Sequence, residues 1–260
     1  MKPRLLVLLV DALGWEQVQR CSRLLAAFPH RRPIETVLGF SSGALPTLFT
    51  GRGAMEHGRW LMYRRALPGA GTPFAGFGAL AALPPRLRRS WKLGGLLARL
   101  VRARGVAGYF NLYEVPRHLL SAFDLAERAD IFAPGGLPVD SLWDSLERRG
   151  ARWRGWNWRT PEEEALSAAL ARLADGDEEL LFVYTAAFDN LLHHEGSSGA
   201  GVRARLDRYA DWVEEARQIA TRRGETLWIY LVSDHGMVDV HANIDVMGAL
   251  EALPARWPRD

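Results

Sequence analysis

The 260-residue chain carries 33 Lys and Arg against 30 Asp and Glu, a net charge of only +3 with an isoelectric point near 9.3. That balance suits a small acidic substrate and is too slight to argue for a nucleic-acid polymer as partner. Hydrophobic residues make up 48% and charged residues 24%, an ordinary globular composition with length for a large buried core. The single cysteine, Cys21, excludes an intrachain disulfide and makes a reducing compartment, the cytoplasm, the expectation.

Residues 5–10 are continuously apolar, the signature of a parallel strand buried on both faces. At six residues before Asp11 the run is too short for a signal peptide, and nothing approaches the ~18 apolar residues of a transmembrane segment. A helix spaced through Trp15, Val18, Cys21 and Leu24/Leu25 follows, then an extended segment over 34–40 and a Ser-Ser-Gly turn. Residues 68–138 are rich in Gly, Pro and Arg and read as a lid or inserted subregion of a single 1–260 domain. Its basic run Arg86, Arg88, Arg89, Lys92 is expected to be a solvated helix face.

Regular alternation resumes with a helix over 141–149 and a Trp-rich strand over 151–158. Thr160-Pro161-Glu162-Glu163 reads as a capping box opening a helix over 164–174. A second buried strand spans 179–185, a helix then aligns Leu206, Tyr209, Val213, Ala216 and Ala220, and a third buried strand spans 226–232. This order predicts an α/β fold, a mostly parallel central sheet with helices on both faces, C-terminally incomplete. No signal sets the oligomeric state.

Four pieces carry chemistry, each just past a strand end or in a turn. Asp11 alone fits a helix N-cap. The stretch Gly39-Phe40-Ser41-Ser42-Gly43 leads to Thr50-Gly51, with His57-Gly58 beyond. Asp189 and His193, four apart on a helix, can face one cation from the same side. Ser233-Asp234-His235-Gly236-Met237 puts adjacent Asp and His at a strand end, where Gly236 permits a tight turn.

In this order the pieces resemble the alkaline phosphatase superfamily, and most closely its nucleotide pyrophosphatase/phosphodiesterase branch. The resemblance runs from residue 11 to 237. It implies a phosphodiester or phosphomonoester hydrolase, or a phospho-group transferase, acting on a small-molecule phosphoester through a covalent phosphoseryl intermediate. The family's nucleophile stands nine positions before the Thr of the Thr-Gly pair, which is Ser41, with Ser42 as fallback. One divalent metal ion is then held by Asp11, Asp234, His235 and the Ser41 oxygen. The second is held by Asp189, His193 and a further histidine, for which His241 is what the sequence leaves. Carboxylate and imidazole ligands favour Zn²⁺, with Mn²⁺ the alternative. A serine hydroxyl is a poor nucleophile until metal coordination activates it, and a pair of ions suits in-line displacement.

The rivals are a serine esterase and a non-catalytic chain that keeps the fold. Gly39-x-Ser41-x-Gly43 matches the nucleophile-elbow pattern, with Asp189 and His235 in the order that fold uses. Against it, Pro46 argues that Ser41 does not open a helix. Gly43 and Leu45 depart from the sulfatase pattern. Trp60, Tyr63, Tyr113 and the Trp153/Trp156/Trp158 cluster could line a substrate pocket, with core packing the plainer role.

Overall fold

A computed structural model describes residues 3–38, 40–112 and 115–251. Its elements, in order, are β1 (Arg4–Val10), α1 (Trp15–Gln19), α2 (Ser22–Ala27), α3 (Phe40–Thr50), α4 (Ala54–His57), β2 (Tyr63–Arg65), α5 (Pro85–Arg88), α6 (Trp91–Ala103) and β3 (Phe123–Leu125). There follow α7 (Leu142–Arg148), β4 (Trp153–Trp156), α8 (Glu162–Asp175), β5 (Leu180–Thr185), α9 (Ala187–Glu195), α10 (Ala200–Arg223), β6 (Leu227–Val232) and α11 (Val246–Glu251).

The central sheet has the order β4-β5-β1-β6 and is parallel throughout. β1 lies inside it, with Val10 opposite Thr185 of β5 and Leu9 opposite Val232 of β6. Side chains alternate across a strand, and both faces are used. Leu6, Leu8, Val10, Leu181 and Val183 pack with α8, α9 and α10, whereas Leu9, Phe182 and Tyr184 pack with Leu45 and Phe49 of α3 and Trp143 of α7. Leu206, Tyr209, Val213, Ala216 and Ala220 of α10 are all buried, as their spacing predicts.

The stretch expected to be irregular has a core of its own. Phe74, Phe77, Leu97, Val101, Val106, Leu112, Leu120 and Leu125 cluster around the antiparallel β2–β3 pair. In the same part, α5 buries none of its residues, as a solvated basic face requires.

Several local expectations are corrected. The helix beginning at Trp15 is two helices, because Cys21 goes extended (φ −108°, ψ 95°) between α1 and α2. Residues 34–40 form no strand, since β5 and β6 already occupy both edges of β1; Phe40 instead opens α3. The capping box does not form. Pro161 takes the N-cap position with no side-chain cap, and Glu162 turns inward to accept hydrogen bonds from Thr185 Oγ1 at 2.6 Å and Tyr209 Oη at 2.7 Å, paired with Arg205. The third strand, β6, is apolar but not buried on both faces: Trp228 and Tyr230 are about half exposed on what is, among the described residues, a sheet edge.

Candidate active site

β5, β1 and β6 are neighbours and parallel, so their C-terminal ends lie on one edge of the sheet, where open α/β sheets bind ligands. Asp11 is the first residue past β1. Asp189 lies in the first turn of α9, just past β5, and Asp234 and His235 follow β6. Three chain segments remote in sequence are thereby brought to one point.

Among the described residues the two non-glycines with positive φ both sit here: Ala12 at 61° and Phe40 at 54°. Each directly adjoins a site residue, Asp11 or Ser41, and this backbone region costs an L-residue on the order of 1–2 kcal/mol. The Ala12 turn is held from across the sheet, its N–H donating to Asp234 Oδ1 at 3.2 Å. Thr36 Oγ1 donates to the Asp234 carbonyl at 2.7 Å. Gly236 works by close approach rather than by a left-handed turn. A Cβ on it would stand 2.9 Å from the Gly14 Cα, so the loops after β1 and β6 touch backbone to backbone.

Ser41 is the second residue of α3. Its Oγ is 3.2 Å from both Asp11 carboxylate oxygens and 3.0 Å from His235 Nε2. Ser42, one step round the helix, makes neither contact, so the geometry separates the two serines as the spacing does. Pro46 does not keep Ser41 from opening a helix: it lies inside α3, and Thr47 Oγ1 and Thr50 Oγ1 donate back to the Gly43 and Pro46 carbonyls at 2.9 and 2.7 Å. The sequence objection to a serine esterase therefore falls. Geometry replaces it. A triad needs an acid on His235 Nδ1, yet Nδ1 faces the Gly236 carbonyl at 3.0 Å and the carboxylates of Asp11 and Asp234 both lie on the Nε2 side, at 3.3 and 3.6 Å.

The same arrangement suits a cation. With Nδ1 on the Gly236 carbonyl, Nε2 is the ring nitrogen turned to Ser41 and the carboxylates, the side from which a histidine ligates metal. Ligand atoms of Asp11, Asp189 and His235 all lie within 4.8 Å of one another. Asp234 Oδ1 is satisfied by the Ala12 and His235 amides, but its buried Oδ2 has no hydrogen-bond partner. A buried, unpaired carboxylate oxygen is costly unless a cation meets it. Burial, then the neighbouring Asp234 charge, pushes the Asp11 pKa up to about 7, and burial raises Asp189 as well. The donor set fits a divalent metal ion.

His193 is mostly exposed and meets the cluster only through Asp189, its Nε2 3.5 Å from Asp189 Oδ2. His241 is exposed on a segment that Asp239 ties to Ser197, and it joins no such group among the described residues. His194 is a polar flank, its ring bonded to the Asn190 carbonyl at 2.7 Å.

His57 is fully buried and braces α3, the helix that carries Ser41. Its Nδ1 accepts from the Arg59 amide at 3.1 Å, so Nε2 carries the proton toward Thr47 Oγ1 at 3.0 Å.

Of the aromatic residues weighed as a pocket wall, Trp153 stacks on Trp143 with centroids 5.0 Å apart and Tyr63 packs on Phe74 at 6.0 Å, both in cores. Tyr113 lies outside the described residues. Sequence reasoning missed Tyr184, whose buried hydroxyl donates to Asp11 Oδ2 at 2.5 Å. The available signal was a tyrosine at the end of a strand adjacent to the one that delivers Asp11.

The type I phosphodiesterase / nucleotide pyrophosphatase family model matches residues 106–255, more than half of the chain and the part that holds Asp189, Asp234 and His235. The chain belongs to this family. Membership places it in the alkaline phosphatase superfamily, on the nucleotide pyrophosphatase/phosphodiesterase branch. Among solved structures it is similar to murine ectonucleotide pyrophosphatase/phosphodiesterase 5, determined as an inactive threonine-to-alanine variant in complex with AMP. The TM-score is 0.53 at 14% identity, covering 91% of this chain and 58% of that one. At that identity the likeness speaks to the fold, and the family member described here spans just over half of that protein's length. No curated protein sequence matches the chain.

Proposed function

We propose that this phosphodiesterase-family chain hydrolyses a small-molecule phosphodiester or phosphomonoester, or transfers its phospho group, with Ser41 as nucleophile. The observation that carries the reading is the position of Ser41 Oγ, 3.0 Å from His235 Nε2 and 3.2 Å from Asp11, beside the Asp11/Asp189/His235 cluster.

Asp11, Asp234, His235 and Ser41 would hold one divalent ion, and Asp189 with His193 a second, Zn²⁺ in preference to Mn²⁺. Such ions, when bound, acidify a ligated hydroxyl and offset charge on phosphoryl oxygens. The chain's own groups do the rest. Ser41 lies in the first turn of α3, whose first amides lack intrahelical acceptors and favour an anionic group. Asp11 orients the Ser41 hydroxyl, which gives up its proton to solvent. The Oγ–P bond forms as the bond from phosphorus to the leaving oxygen breaks, and that oxygen takes up a proton from water. Water then attacks the phosphoseryl phosphorus and releases Ser41. A nucleotide-like organic group is consistent with the AMP held by the murine relative. A cytoplasmic setting, read from the lone Cys21, belongs to the same proposal.

The test is to count bound metal in the purified chain and assay bis-nitrophenyl phosphate, nitrophenyl phosphate and nitrophenyl sulfate. Phosphoester turnover with bound metal is expected. A chain with neither would instead be a non-catalytic member of the family.

A further inference from the structure

We infer that Tyr184 is a positioning residue that fixes the Asp11 carboxylate for metal binding, an inference that rests on the function proposed above. The Tyr184 hydroxyl lies 2.5 Å from Asp11 Oδ2, and both residues are buried. An ionised carboxylate only accepts, so the phenol is the donor and its proton lies between the two oxygens.

Position follows from the sheet. Tyr184 on β5 is opposite Leu9 on β1, two residues before Asp11, and its ring packs on Phe132 with centroids 5.0 Å apart. The donor is therefore mounted on two packed elements rather than on a mobile loop. Its effect on Asp11 is asymmetric. Oδ2 is held by the phenol, which leaves Oδ1 turned to His235 Nε2 at 3.3 Å, the side where the buried Asp234 Oδ2 lies without a partner. A ligand carboxylate so fixed does not have to be ordered by the ion itself, and outer partners of this kind typically carry 10–100-fold in metal affinity.

The experiment titrates the full chain with Zn²⁺ against a chromogenic chelator, comparing the parent with Tyr184→Phe, which keeps the ring contact on Phe132. Thermal unfolding of both without metal reports the fold. The expected result is Zn²⁺ affinity weakened about 10–100-fold in a variant that still unfolds cooperatively without metal, with turnover largely restored by excess Zn²⁺. Equal Zn²⁺ affinity in parent and variant overturns the positioning role while leaving the proposed function intact. A parent that binds no Zn²⁺ overturns both. If Tyr184→Phe unfolds, Tyr184→Met is titrated in its place, and retention of parental affinity there also overturns the inference.

Discussion

Ser41 Oγ and His235 Nε2 meet at 3.0 Å across 194 residues of chain, with Asp11 contacting both. No local segment contains the site. Its parts are delivered by β1, α3 and β6 separately.

Replacing the serines distinguishes their roles. Ser41→Ala is expected to cut turnover by about 10³-fold or more and to abolish any phosphoserine adduct seen by mass spectrometry. Ser42→Ala should stay within about tenfold of the parent. The opposite ranking would move the nucleophile by one residue.

Metal removal is the second test. Dialysis against chelator should eliminate phosphoester turnover, and Zn²⁺ or Mn²⁺ should restore it. Asp234→Asn, which removes a ligand charge while keeping the Oδ1 acceptor for the Ala12 amide, should prevent that restoration. Full turnover in chelator contradicts the proposed chemistry.

The histidines bear on the expected metal stoichiometry. Asp189 has His193 at 3.5 Å on its own helix, while His235 belongs to the Asp11 group, so one ion should bind tightly and the second weakly. His193→Ala should remove the weak ion in a calorimetric titration, and His241→Ala should change neither. Two tight ions, one lost on His241→Ala, would make His241 the missing ligand.

His57 gives a pH signature. Burial holds its pKa below the ordinary histidine value, so the folded chain keeps it neutral where the unfolded chain takes up a proton. Its contribution to stability is therefore present above pH ~6.5, the unfolded value, and is lost as pH falls below it. His57→Gln should flatten the melting temperature between about pH 7 and 5 relative to the parent, measured by calorimetry. Thr47→Val, which leaves the buried Nε2–H unpaired, should cost about 1–3 kcal/mol.

The long apolar runs made β1 and β5 legible, because strands buried on both faces leave little alternative. β6 was legible as a strand but not in its exposure, since Leu227–Val232 has the same composition as a fully covered strand. α3 was masked by Pro46, which the helix Phe40–Thr50 nevertheless contains. The core around Phe74 and Leu125 was hidden because its members are scattered among Gly, Pro and Arg without a repeating spacing. The ordered motifs gave Asp11, Ser41, Asp189, Asp234 and His235, which the fold gathers. Tyr184 was missed because it lies inside a continuously apolar run and belongs to no motif, so only the pairing of β5 with β1 reveals its contact with Asp11.

The central place of β1 in the sheet has a consequence for how the chain is made. Its first strand stands between two strands that the ribosome delivers much later, and 222 residues separate Ala12 from the Asp234 that anchors its turn. At ~5–20 residues per second, on the order of 10–45 s pass between the emergence of the two. Until β5 emerges the apolar strand Arg4–Val10 has neither sheet neighbour, and until β6 follows it has only one. The proposed site is thus complete only once β6 has joined β1, and a nascent chain released before β6 would carry Asp11 and Ser41 without Asp234 and His235.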